Sequence, residues 1–251
     1  MTIFNMRDTV SQCNNQWNFL EFKSGPPVSP FAPVYHYIFA ENTIEGVDFN
    51  KVASIILEKE KLIINSTVPT SDAYTGLGDD SLTSRWKSFN IFAWNEPEIE
   101  KLKTQIRFRY LEFLKAYNVP RSKIMIQCWA NVLREGGEIN PHIHSTGQWS
   151  YLGGHVTVQC EDTQTVYINP INQINDPEMY VSYNHVGKIT FFQHNIPHYT
   201  TPHYSKIGAE RITIAFDLSM EEFVNSFDHD KFPEWKNLVM FDDPSVSEYN
   251  L

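Results

Sequence analysis

From residue 123 to residue 217 the apolar residues recur largely with a period of two, in short segments separated by turn residues. Residues 123–133, 151–159, 165–168, 187–192 and 211–217 each read as strands, and residues 34–39 add one upstream. Short strands joined by short connections pair antiparallel. Before them the period is helical. Residues 48–64 put Val52, Ile55, Ile56 and Leu62 on one face, with Asp48 as the N-cap. Residues 96–117 carry a stripe of Ile99, Leu102, Ile106, Tyr110, Phe113 and Leu114. Helices followed by a run of antiparallel strands predict a mainly β fold, two sheets with flanking α-helices. The heavy aromatic content, 17 Phe and 12 Tyr, suits such a core.

A chain of 251 residues is long enough for one sizeable core. The reading is therefore a single domain, 1–251, divided into an N-terminal extension with helices (1–120), a β core (121–218) and a tail (219–251). Residues 1–30 read as irregular, ending in a proline-rich extended stretch from Ser24 to Pro30. Residues 65–90 are polar and turn-rich, and a loop of that length in a compact domain often has a function.

Composition removes several function classes. A net charge of −10 without a basic block argues against nucleic-acid backbones and anionic membranes as partners. No stretch is long and apolar enough to span a bilayer, and residues 1–20 lack the pattern of a signal peptide. Cys13, Cys128 and Cys160 fit no disulfide framework or zinc motif, so a cytoplasmic, reducing location is expected.

Nine histidines occur, and seven of them lie between residues 142 and 203. In Pro141-His-Ile-His144 an extended backbone turns both imidazoles to one side, where they can share an ion. A third ligand must come from elsewhere. His198, placed after the strand that ends at Phe192, is the best candidate, with His194 and His203 as rivals. Two surface imidazoles near a turn are the bland alternative. Thirteen residues after His198 comes Arg211, opening a strand on which Arg211, Thr213 and Ala215 share a face. If that face is interior, the guanidinium needs an anion, and a dicarboxylate suits its planar fork. An exposed Arg at a strand start is the competing reading.

The order His-x-His, distal His, then Arg one strand later resembles the Fe(II)/2-oxoglutarate-dependent dioxygenases, in particular their prolyl-hydroxylase-like bacterial and phage branch. The similarity runs through Trp129-Ala-Asn131, Gly136-Gly137, His142-Ile-His144, Trp149-Ser-Tyr151, residues 187–192, Pro197-His198 and residues 211–216. It implies a double-stranded β-helix, or jelly roll. It further implies Fe(II) on His142 and His198, 2-oxoglutarate paired with Arg211, and an O2-dependent hydroxylation that converts 2-oxoglutarate to succinate. Most of the wider family has a carboxylate two residues after the first His. Here that position is His144, either a direct ligand or a partner of one.

Other residues have expected roles of lesser weight. Thr213 could bond the same carboxylate as Arg211, and Asn131 could bond the cofactor. Trp129, Ser150 and Tyr151 could wall the pocket or simply pack. Gly153-Gly154 suggests a bulge or a close backbone approach. The 70–90 loop, with Arg85 and Trp86, is a plausible lid. The first substrate expectation is a protein or peptide side chain, with a small molecule as the alternative. Two other function classes compete. One is a cupin-like three-His dioxygenase without 2-oxoglutarate, and the other is a jelly-roll binding module with incidental histidines.

Overall fold

The computed structural model describes residues 17–147, 149–170, 179–231 and 233–247. The expected irregular stretch up to residue 16, with Cys13, lies outside them. Eleven strands among the described residues form two antiparallel sheets. The larger contains β1 (Asn18–Lys23), β2 (His36–Thr43), β3 (Ile124–Leu133), β5 (Leu152–Gln159), β8 (Lys188–Phe192), β10 (Arg211–Met220) and β11 (Val239–Asp242), in the order β1-β2-β8-β5-β10-β3-β11. The smaller contains β4 (Ile139–His142), β6 (Gln164–Ile168), β7 (Met179–Tyr183) and β9 (His198–Thr200), in the order β4-β9-β6-β7. This is the expected mainly β jelly roll with flanking helices.

The two helical periods appear as α1 (Phe49–Ser66) and α2 (Pro97–Ala116). Asp48 caps α1 by accepting from the Lys51 amide. The buried stripes Val52, Ala53, Ile56 and Ile99, Leu102, Ile106, Tyr110 join one core with Ile126, Cys128, Ala130, Ile212, Ile214 and Phe216. Residues of one parity on β3 and β10 thus lie under the helices. Those of the other parity are turned toward the small sheet, where the site lies.

Five strands were not expected from local pattern. β1 replaces part of the irregular reading of residues 1–30, β11 part of the tail, and β7 and β9 fall in stretches with no assignment. In β4 a proline interrupts any period, which is tolerated because β4 is an edge strand. A short helix, α3 (Glu221–Asn225), follows β10.

The glycine pair on β5 is a close approach. A Cβ at Gly154 would collide with the Phe216 ring and the Thr190 carbonyl oxygen. Gly154→Ala should therefore destabilise the fold by about 1–3 kcal/mol, the usual cost of overpacking, and lower Tm by several degrees in calorimetry. An unchanged Tm would show that Phe216 yields freely.

Candidate active site

The alternation of β10 sets the floor of the site. Arg211, Thr213, Ala215 and Asp217 all line one cavity of about 820 Å³, mouth included. Across β3 their register partners are Leu133 for Arg211, Asn131 for Thr213, Trp129 for Ala215 and Gln127 for Asp217. The small sheet faces them with His142 on β4, Thr165 on β6 and His198 and Thr200 on β9. Residues from both sheets therefore meet across the cavity, and His144, just past β4, reaches it as well.

Strand pairing explains why distant histidines converge. His142 and His198 are register partners in the antiparallel β4–β9 pair. Their ring centroids lie 4.4 Å apart, and the His144 ring is 5.7 Å from His142 and 5.1 Å from His198. One ligand atom from each of the three falls within 4.8 Å of the others, close enough to hold one metal ion. Each ring also has a fixed partner for Nδ1. His142 Nδ1 is 2.9 Å from the Asn140 carbonyl oxygen, His198 Nδ1 3.0 Å from that of Ile196, and His144 Nδ1 2.5 Å from Asp217 Oδ1. All three acceptors require Nδ1–H as donor, which leaves each Nε2 outside these bonds and turned to another partner.

Electrostatics favours the neutral form. Burial, reinforced by the adjacent His144, lowers the His142 pKa to about 4. Burial and then the neighbouring His142 and His144 push His198 well below the usual imidazole range. At neutral pH these rings are unprotonated and available to a cation.

The second element of the site is a charge without a partner atom for most of its donors. Arg211 is 1% exposed, and neither its Nε nor its Nη1 has a hydrogen-bond partner. Only Nη2 reaches an acceptor, Thr165 Oγ1 at 3.4 Å. Burial lowers the Arg211 pKa to about 10. The Thr213 hydroxyl, on the same face, is also buried and unsatisfied. Buried donors without acceptors are costly, so their presence in one cavity marks an anion site.

The 70–90 loop covers part of the cavity through Ala73, Thr75, Thr83 and Trp86. It is anchored to β3: Thr83 Oγ1 donates to Asn131 Oδ1 at 2.6 Å, and Gln127 Nε2 donates to the Trp86 and Phe89 carbonyls at 2.7 and 2.9 Å. Arg85 turns inward to the Asp79 and Ser81 carbonyls, so it organises the loop and leaves the cavity wall to Trp86. Tyr151 bonds Tyr110 at 2.7 Å. Ser150 and Tyr151 do not line the main cavity.

The remaining histidines separate clearly. His203 bonds the Ala209 carbonyl at 2.8 Å and His185 the Thr43 hydroxyl at 2.9 Å. His155 lines the cavity but bonds the Tyr167 hydroxyl at 2.5 Å. His194 lies beside Asp217, its Nε2 3.3 Å from Oδ1. Asp217 itself was not singled out from the sequence. The signal was present: continuing the Arg211, Thr213, Ala215 alternation by one step reaches it.

Residues 127–217 match the family model described as "Putative 2OG-Fe(II) oxygenase". That span contains all three convergent histidines, Arg211 and Asp217. This stretch is thus similar to the 2OG-Fe(II) oxygenases. The chain is similar to several solved structures. A 2OG-Fe(II) oxygenase family oxidoreductase from Burkholderia pseudomallei is 15% identical, with 50% of this chain and 60% of that chain covered and a TM-score of 0.39. A prolyl-4-hydroxylase from Pseudomonas putida is 9% identical, with 73% and 92% covered and a TM-score of 0.48. AviO1 from Streptomyces viridochromogenes Tue57 is 12% identical, with 73% and 90% covered and a TM-score of 0.48. No curated protein matches the chain.

Oxygenases of this family use Fe(II) and 2-oxoglutarate. The residues of this cavity fit both, with three convergent imidazoles for a cation and an unsatisfied guanidinium and hydroxyl for a carboxylate. Among the described residues no helix is long and apolar enough to cross a membrane.

Proposed function

We propose that this oxygenase hydroxylates a side chain presented by a protein or peptide, with Fe(II) held by His142, His144 and His198 and 2-oxoglutarate by Arg211. The observation that carries the assignment of residues is the pairing, in one cavity, of three convergent imidazoles with a buried guanidinium that lacks an anion. When bound, iron and 2-oxoglutarate supply the oxidative chemistry with O2, and the protein contributes binding, orientation and exclusion of water. Arg211 donates to the distal carboxylate and Thr213 Oγ1 adds a second donor. Asn131, its Oδ1 taken by Thr83, offers its amide nitrogen to the cofactor. A three-His dioxygenase without 2-oxoglutarate would leave Arg211 with no anion, which is why that reading ranks lower.

The substrate class rests on the cavity's surroundings. Beyond His144 a second recess is walled by Trp86, Trp149 and Trp235. Trp149 stacks on Phe223 at 5.3 Å, and Phe227 stacks on Trp235 at 5.1 Å. Flat apolar walls beside a narrow reactive cavity suit an extended chain that inserts one side chain. Cys128 and Cys160 are free thiols, in keeping with a reducing cytoplasm.

The test is incubation of the protein with Fe(II), 2-oxoglutarate, ascorbate, O2 and a peptide library, read by mass spectrometry. The expected result is a one-oxygen mass gain on a subset of peptides, with succinate formed in step. Succinate stimulated by small metabolites alone, with every peptide unchanged, would assign the substrate to the small-molecule class instead.

A further inference from the structure

The three histidines of the proposed iron site are not equivalent. His142 and His198 lean on backbone carbonyls, whereas His144 leans on a carboxylate. We infer that Asp217 is a positioning residue of the metal centre: it holds the His144 ring with Nε2 aimed at the ion and returns to the site the negative charge that a His at position 144 removes. The inference rests on the assignment of His142, His144 and His198 as ligands.

Several independent features of the fold support this role. Asp217 is the fourth residue of the cavity face of β10, after Arg211, Thr213 and Ala215, so the strand delivers it to the metal side. Its register partner on β5 is Gly153. A Cβ at Gly153 would lie 3.0 Å from His194 Cδ2, 3.2 Å from His144 Nδ1 and 3.4 Å from Asp217 Oδ1. The missing side chain is thus the space in which the His144–Asp217 contact is made. The backbone is fixed as well, because the His144 and Ser145 amides donate to the His194 carbonyl at 2.9 and 3.2 Å. A metal-bound imidazole whose second nitrogen donates to a carboxylate has a fixed orientation and is a more basic ligand.

A rival geometry uses the same atoms. His144, His194 and Asp217 also bring ligand atoms within 4.8 Å of one another. Two ligands about 2.1 Å from one ion at right angles stand roughly 3 Å apart. His144 Nδ1 and Asp217 Oδ1 are 2.5 Å apart, closer than two ligands of one ion stand, and so face each other as hydrogen-bond partners. The direct-ligand arrangement would also leave His142 and His198 idle.

The experiment is titration of metal-free protein with Mn(II), followed by electron paramagnetic resonance, alongside the ligand-field spectrum with Co(II) and the Tm of each metal-free variant. Asp217→Asn keeps the shape and loses the charge, and Asp217→Ala removes both. We expect Mn(II) affinity to fall about 10- to 100-fold in Asp217→Asn, with a changed Co(II) spectrum and Tm close to that of the parent protein. Asp217→Ala should bind no better than Asp217→Asn. Should Asp217→Ala fail to fold, Asp217→Asn alone decides the matter. His194→Ala should stay within a few-fold of the parent, and His198→Ala should lose binding.

Unchanged affinity and spectrum in both Asp217 variants, with binding lost in His198→Ala, would overturn the role of Asp217 and leave the iron site standing. Binding lost in His194→Ala but kept in His198→Ala would place the ion on His144, His194 and Asp217, overturning both.

Discussion

His198→Ala should abolish tight metal binding and, with it, succinate formation. His198 is 6% exposed, sits opposite His142 in the β4–β9 register and has its Nδ1 committed to the Ile196 carbonyl. Nothing else among the described residues can take its place, since His203 and His185 are bonded elsewhere and His194 faces Asp217. Losing a partner that merely orients a ligand typically costs 10- to 100-fold in metal affinity, so losing a ligand should cost more than about 100-fold. The metal-free fold should change little, because the imidazole is already neutral and its removal leaves no buried charge. Mn(II) titration and Tm together test this. A variant that retains Mn(II) affinity within a few-fold would remove His198 from the site.

Arg211→Met should produce two effects of opposite sign. Arg211 is almost fully buried with two unsatisfied donor atoms, an arrangement that disfavours its charge, as its pKa lowered to about 10 reflects. Met fills a similar volume without charge. Replacing buried ionic groups with apolar ones is often neutral or stabilising by about 1–4 kcal/mol, so the ligand-free protein should keep or raise its Tm. Affinity for 2-oxoglutarate should fall sharply. Truncating one side of a buried charge pair costs about 2–5 kcal/mol, or roughly 30-fold to several thousand-fold. Thermal denaturation of metal-loaded protein with and without 2-oxoglutarate reads both effects. Stabilisation by 2-oxoglutarate should be large in the parent and nearly absent in Arg211→Met. If both proteins respond equally to 2-oxoglutarate, Arg211 is not its anchor. A fold damaged by the substitution would instead lower Tm before any ligand is added.

Much of this site was legible in the sequence because strands carry a strict period. The alternation of β10 places Arg211 and Thr213 in the cavity and Ile212, Ile214 and Phe216 in the core, as the pattern implies. The His-x-His pair was legible for the same reason. His198 was ranked before His194 and His203 by its place after a strand alone. What brings it opposite His142 is pairing between β4 and β9, four and three residues long, more than fifty positions apart in the chain. Neither strand has enough residues to show a period. β7 and β11 escaped for related reasons: three of five residues in β7 are exposed, and β11 has only four residues. Asp217 is a different case. Its strand was recognised, but an acidic residue at the end of an apolar run reads locally as a boundary. Only the fold shows that the opposite strand has made room for it with Gly153.

The most direct measurement is succinate formation by the Fe(II)-loaded protein with 2-oxoglutarate and O2, comparing the parent with His198→Ala and Arg211→Met. Slow turnover without added substrate should appear in the parent and be lost in both variants. Arg211→Met should recover part of it at high 2-oxoglutarate, and His198→Ala should recover none. Equal succinate from all three proteins, or none from a parent that binds both iron and 2-oxoglutarate at this cavity, would contradict the assignment of the site.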